Sequence, residues 1–94
     1  MYVRLVRFAF GPGHHPSAQA LADELVPLIA AQPGFQGVTA FGDESDGEYG
    51  IFVLWDTAEN AEAAALVVRP QLAEHLSGKA QGPPDARLFD VLAG

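Results

Sequence analysis

The chain has 94 residues, 49% of them hydrophobic, and five basic against twelve acidic side chains give a net charge of −7 at pH 7. That length suits one domain with a small core, and the apolar fraction is high enough that part of it is expected to meet another chain. The acidic balance, without any Lys/Arg cluster, argues against nucleic acid and anionic membrane as partners, and a chain with no cysteine has no disulfide and no thiolate metal site. A cytoplasmic location is expected, because Met1 to Arg4 runs straight into a strand pattern rather than a signal peptide and no apolar run approaches membrane-spanning length.

Tyr2 to Phe10 alternates as a strand whose two faces are both largely apolar. Gly11-Pro12-Gly13 ends it, and His14-His15 are expected in a solvated loop. From Pro16 or Ser17 to about Gln32, Ala18, Leu21, Ala22, Leu25, Leu28 and Ile29 recur at helical spacing, with Pro27 predicting a bend. Gln32-Pro33-Gly34 stops that helix. Phe35 to Gly42 is a weaker edge strand, and Asp46-Gly47 in the acidic turn after it signals a hairpin into Glu48 to Trp55. This third strand is apolar on both alternating sets, Tyr49/Ile51/Val53/Trp55 and Phe52/Leu54, so it belongs in the middle of a sheet. Thr57 is a good N-cap for a helix to about Val68, where Arg69-Pro70 is expected to break it. A shorter helix follows to a C′ glycine at Gly78, and Ala86 to Leu92 is the last strand.

The order β-α-β-β-α-β predicts an α+β, ferredoxin-like domain spanning residues 1–94, with a four-stranded antiparallel sheet and both helices on one face. The strands of residues 2–10 and 48–55 should be central. Their other face is apolar too and would be bare, which predicts a homodimer joined through the sheets.

Three stretches carry a family resemblance: Gln32-Pro33-Gly34-Phe35-Gln36-Gly37, Leu54-Trp55-Asp56-Thr57-Ala58-Glu59, and Gly82-Pro83-Pro84-Asp85-Ala86-Arg87-Leu88-Phe89-Asp90-Val91. In this order they resemble the antibiotic biosynthesis monooxygenase family of dimeric α+β barrels. The resemblance implies a dimer, a ligand cavity between sheet and helices, and chemistry such as cofactor-free oxygenation of phenols and quinols, haem degradation or isomerisation. Haem-degrading relatives use an asparagine and a tryptophan where this chain has Val6 and Ala64, with only His75 near the position of their histidine, so haem degradation is disfavoured and no cofactor is expected.

His75, at helical spacing from Leu72 and Leu76, is the candidate general base for a phenol or quinol, or else a half-exposed polar residue of an amphipathic helix. Trp55 is expected as a core aromatic that also walls the cavity. Tyr49 is a candidate second proton donor to a bound substrate, and Arg87 could meet an anionic ligand or an acidic residue of a dimer partner. Asn60 is expected in a capping role, and the acidic loop lacks the spacing of a calcium site. The alternative to an oxygenase is a non-catalytic dimeric module that binds a small apolar ligand or only stabilises an assembly.

Overall fold

Pairing sorts the two apolar sets of the third strand onto opposite sides of a sheet. In the computed structural model, which describes residues 1–94, the elements are β1 (Tyr2–Ala9), α1 (His15–Ala30), β2 (Phe35–Asp43), β3 (Glu48–Trp55), α2 (Ala58–Leu76) and β4 (Asp85–Asp90). The strands form one antiparallel sheet in the order β2-β3-β1-β4, so the two strands expected in the middle are there.

Residues directly opposite in an antiparallel ladder share a face. Tyr2, Arg4, Val6 and Phe8 of β1 oppose Trp55, Val53, Ile51 and Tyr49 of β3, and this is the face the helices cover. Leu21, Leu25 and Ile29 of α1 and Ala61, Ala64, Leu72 and Leu76 of α2 complete a single buried core with it. Alanine at 61 and 64 keeps α2 close to the strands. Burying a Leu such as Leu21 or Leu25 is worth roughly 1.5–3 kcal/mol, and these are the two largest side chains wholly removed from solvent.

Nothing in the chain covers the opposite face. There Val3, Leu5, Phe52 and Leu54 run together across β1 and β3, with Phe41 on β2 and Phe89 on β4 at the sides. Phe41, Phe52 and Phe89 keep 47%, 42% and 38% of their surface exposed.

Two glycines fix connections that aim the site. Gly34 turns with φ +83°, and its carbonyl accepts the Asp56 N–H at 3.0 Å; a Cβ there would run into the Asp56 and Asn60 side chains. The end of α1 is thereby locked to the start of α2, where Thr57 Oγ1 accepts the Asn60 N–H at 3.1 Å as the expected N-cap. Asn60 in turn donates its side-chain amide to Asp56 Oδ1 at 2.9 Å. Gly47, with φ +72°, closes the β2–β3 loop by donating its N–H to the Asp43 carbonyl at 2.8 Å. The loop comprises residues 44–47, since Asp43 pairs with Glu48, so Gly47 is its last residue instead of one half of a two-residue turn.

The helical break expected at Arg69-Pro70 is absent. Pro70 does not end α2, which runs unbroken from Ala58 to Leu76. A proline at 70 removes the hydrogen bond to the carbonyl of residue 66. Leu66 and Pro70 are both on the solvent side, where water replaces that bond, while Leu72 and Leu76 beyond the proline are buried and hold the last turns down. Pro27 is likewise inside α1, on its exposed side, and the helix passes through it to Ala30, two residues short of Gln32.

Candidate functional site

Trp55 shares its alternation with Tyr49, Ile51 and Val53 and therefore ends β3 pointing under α2. It is 2% exposed, and Phe35, across the β2–β3 ladder, meets its ring edge-on at 6.2 Å. Beside it lies a cavity of about 60 Å³ between the sheet and both helices. Val6, Ile51, Val53 and Trp55 form its floor, and small residues of α2, chiefly Ala61 and Ala64, leave the space above them.

Two of the chain's five basic residues, Arg4 and Arg69, line this otherwise apolar cavity. Arg4 stands among the helix-facing residues of β1, only 12% exposed at its side chain, and its Nη2 donates to Glu62 Oε1 at 2.8 Å. Arg69 makes no ion pair. A guanidinium held against apolar walls favours an anionic group beside it, because the low local dielectric strengthens the attraction.

A second cavity, of about 160 Å³, lies between the beginning of α1 and the β2–β3 hairpin. Tyr49 is in its wall, 6% exposed, stacked on Phe8 at 6.2 Å and tilted against His15 at 6.3 Å between ring centroids. Its hydroxyl is closed to solvent and has no hydrogen-bond partner in the chain. Leaving such a group unpaired costs on the order of 1–3 kcal/mol.

The residues singled out in the sequence are thus dispersed. Trp55 walls the first cavity and Tyr49 the second. His75 lines neither: half-buried near the end of α2, its Nε2 lies 2.8 Å from Glu24 Oε2 of α1 and ties the helices together. If the Nε2 proton goes to the carboxylate, Nδ1 is left as the acceptor. Arg87 is on the uncovered face, opposite Leu5, with its guanidinium 4.9 Å from the centroid of the Phe89 ring. Sequence reasoning missed Arg4, Arg69 and His15. The signal for Arg4 was present, since a charge on the same alternation as Val6 and Phe8 has to be accommodated inside. His15 is not a loop residue; it opens α1 and borders the second cavity. No three His, Asp or Glu side chains come together as a metal site would require.

Compared with protein-family models and with curated proteins, the sequence matches none. Solved structures do match over almost the whole chain. A variant of SnoaB, a cofactor-independent oxygenase from Streptomyces nogalater, is 18% identical with a TM-score of 0.80, over 99% of this chain and 94% of that one. A Streptomyces coelicolor monooxygenase solved in complex with Nanaomycin D is 23% identical with a TM-score of 0.79, over 99% and 88%. A Nitrosomonas europaea protein of unknown function is 18% identical with a TM-score of 0.84, over 99% and 90%. The chain has the fold of the antibiotic biosynthesis monooxygenases, as the three sequence stretches implied. At these identities the likeness is one of fold, and chemistry has to be argued from the residues. No helix is long and apolar enough to cross a membrane.

Proposed function

We propose that the chain is a homodimeric oxygenase that converts a small aromatic phenol or quinol to a quinone in the Trp55 cavity, using dioxygen without metal or flavin. The observation that carries this reading is an apolar cavity walled by Trp55 and bordered by Arg4 and Arg69. Trp55 offers a flat surface for a ring, and Arg69, which makes no ion pair, favours a phenolate over a phenol, whereas the Arg4 charge is already met by Glu62. A phenolate gives one electron to dioxygen, and the resulting radical and superoxide join at the para carbon, forming a C–O bond. Cleavage of the O–O bond with loss of the para C–H proton then leaves a quinone and one water; in a quinol, whose para carbon already bears oxygen, the same addition falls on a ring C–H carbon ortho to the phenolate and leaves a hydroxyquinone and one water.

His75 is the base in this proposal, with Glu24 holding its ring and Nδ1 taking the phenol proton. It stands outside the cavity lining, so the proton would reach it through a shift of the last turns of α2 or through one water. The partner copy would cover the Val3, Leu5, Phe52 and Leu54 face, where Arg87 is placed to meet one of its acidic residues.

Oxygen consumption with a panel of hydroquinones and anthrones tests the reading. Turnover is expected on at least one of them, falling at least tenfold in Arg69→Ala and in His75→Ala. No uptake across the panel would remove the oxygenase, and full activity in His75→Ala would remove the base. The size of the cavity favours the other reading, a non-catalytic module that takes at most a very small apolar ligand or only stabilises an assembly. About 60 Å³ is less than half of the roughly 150 Å³ that holds benzene, so an aromatic ring enters only if α2 moves outward.

A further inference from the structure

Of the five basic residues Arg4 alone is not exposed, and the carboxylate that sits on it belongs to a residue that is. Its side chain lines the Trp55 cavity from β1, and its Nη2 donates to Glu62 Oε1 on α2 at 2.8 Å. This is the one hydrogen bond the guanidinium makes within the chain, although it carries five N–H donors. The two partners stand differently. Arg4 is 12% exposed at its side chain and held by the packing around it, whereas Glu62 is 60% exposed and able to turn into water. An ion pair with one exposed member contributes little, because the attraction is screened and ordering a long side chain costs entropy. Along α2, Glu62, Ala65 and Arg69 recur three and four residues apart on one stripe, and the short Ala65 between the two charged residues keeps the cavity open at this edge.

We propose that the Trp55 cavity takes a short aliphatic carboxylic acid, tail inward, whose carboxylate displaces Glu62 from Arg4 at the mouth. The interior selects the tail. Apart from Arg4 and Arg69 every lining residue is hydrophobic, and if roughly 150 Å³ holds the six carbons of benzene, about 60 Å³ holds about three, with no movement of α2. The mouth selects the head group. A free carboxylate can take two guanidinium N–H donors side by side where Glu62 takes one, and Arg69, without an ion pair of its own, adds a second positive charge at the same edge. Glu62 is then a competitor built into the site: it keeps Arg4 satisfied while the cavity is empty and yields to a ligand that does so better. This rests on the reading of the Trp55 cavity as a binding site and not on the oxygen chemistry, so a chain that consumes no oxygen with any phenol leaves it standing.

Butyrate and butyramide, alike in shape and different in charge, are the probes, followed by NMR through the backbone amides and the indole N–H of Trp55, the chain's only tryptophan. Butyrate is expected to give saturable shifts centred on Trp55, Ala61 and Ala64 and to bind about fivefold or more tightly than butyramide. Acetate, too short to fill the cavity, and octanoate, too long for it, should both bind more weakly than butyrate. Glu62→Gln keeps the length of the side chain and removes its charge, and should raise butyrate affinity about tenfold while butyramide changes by less than about twofold. Glu59→Gln removes a charge from the first turn of the same helix, without contact to Arg4, and should raise butyrate affinity by less than about twofold. Arg4→Met keeps the apolar stem and should bring the two probes to equal affinity; because Glu62→Gln alters only an exposed side chain, it tests the exchange even where Arg4→Met fails to fold. Unchanged butyrate affinity in Glu62→Gln, or an equal gain in Glu59→Gln, would overturn the proposal. So would affinity that keeps rising to octanoate, shifts centred on Phe52 and Leu54, or no saturable shift at all.

Discussion

The two sides of β3 are built from the same kinds of residue and end in opposite conditions. Tyr49, Ile51, Val53 and Trp55 are 2–6% exposed beneath the helices, whereas Phe52, one residue away in either direction, keeps 42% of its surface in solvent. Apolar composition therefore says that a strand needs cover on both sides, and it is silent on where each cover comes from. On the helix side the cover is local in design: the apolar stripes of α1 and α2 bury the central strands, and alanines at 61 and 64 keep α2 close to them. On the other side the Val3, Leu5, Phe52 and Leu54 patch continues across the strand order without any element of the chain reaching it. The chemistry follows the same division. Both cavities lie on the covered side, where walls are held by packing, and Arg87 alone among the candidate residues stands on the open side.

The sharpest way to break this comparison is to truncate one ring on each side. Trp55→Ala removes a ring that is 2% exposed, and it should lower unfolding free energy by about 3–5 kcal/mol in urea denaturation, close to the limit for a single core truncation. A loss under about 1 kcal/mol would mean that the helix layer is loosely packed on the sheet. Phe52 offers the next largest effect, on the opposite side. If a second copy covers that face as proposed, Phe52→Asp buries an unpaired carboxylate in the joint and should convert a dimer to a monomer in size-exclusion chromatography with light scattering. A natural chain that is already monomeric at micromolar concentration would sink the sheet-to-sheet dimer, and the open face would then need some other occupant.

The strands, their order and the one-sided helix layer were readable because alternation, Gly/Pro stops and the N-cap at Thr57 all point the same way. The helical break at Pro70 was misread for a physical reason: proline penalises the hydrogen bond behind it, and local pattern cannot tell that Leu72 and Leu76 ahead of it would be buried strongly enough to carry the helix on. The site was less legible than the fold. Trp55 could be placed from parity within its own strand. His75 could not, because the group that fixes it, Glu24, comes from 51 residues earlier on another helix. Arg4 and Arg69 border one cavity from positions far apart in the chain, one in a strand and one in a helix, and only tertiary packing brings them to it.

The smallest expected effect comes from the loop that joins β2 to β3 and belongs to neither side. Asp43 Oδ1 accepts hydrogen bonds from Ser45 Oγ at 2.7 Å and Ser45 N at 3.0 Å. Chiefly the side-chain bond from Ser45, and then the backbone N–H groups of Ser45 and Asp46, hold the Asp43 carboxyl below its ordinary value of 3.8. A carboxyl with a depressed folded-state value contributes order that is complete above the unfolded value and is lost as pH falls through the folded one. Acid titration should therefore loosen this turn only below pH 3.8, and Ser45→Ala should move the Asp43 midpoint up toward that value in carboxyl-carbon NMR. Because Asp43 and Ser45 are both exposed, the substitution should leave the assembly state and both cavities as they were. A change in either would show that the hairpin end, and with it the edge strand β2, is coupled to the packing of a face and does not merely connect two strands.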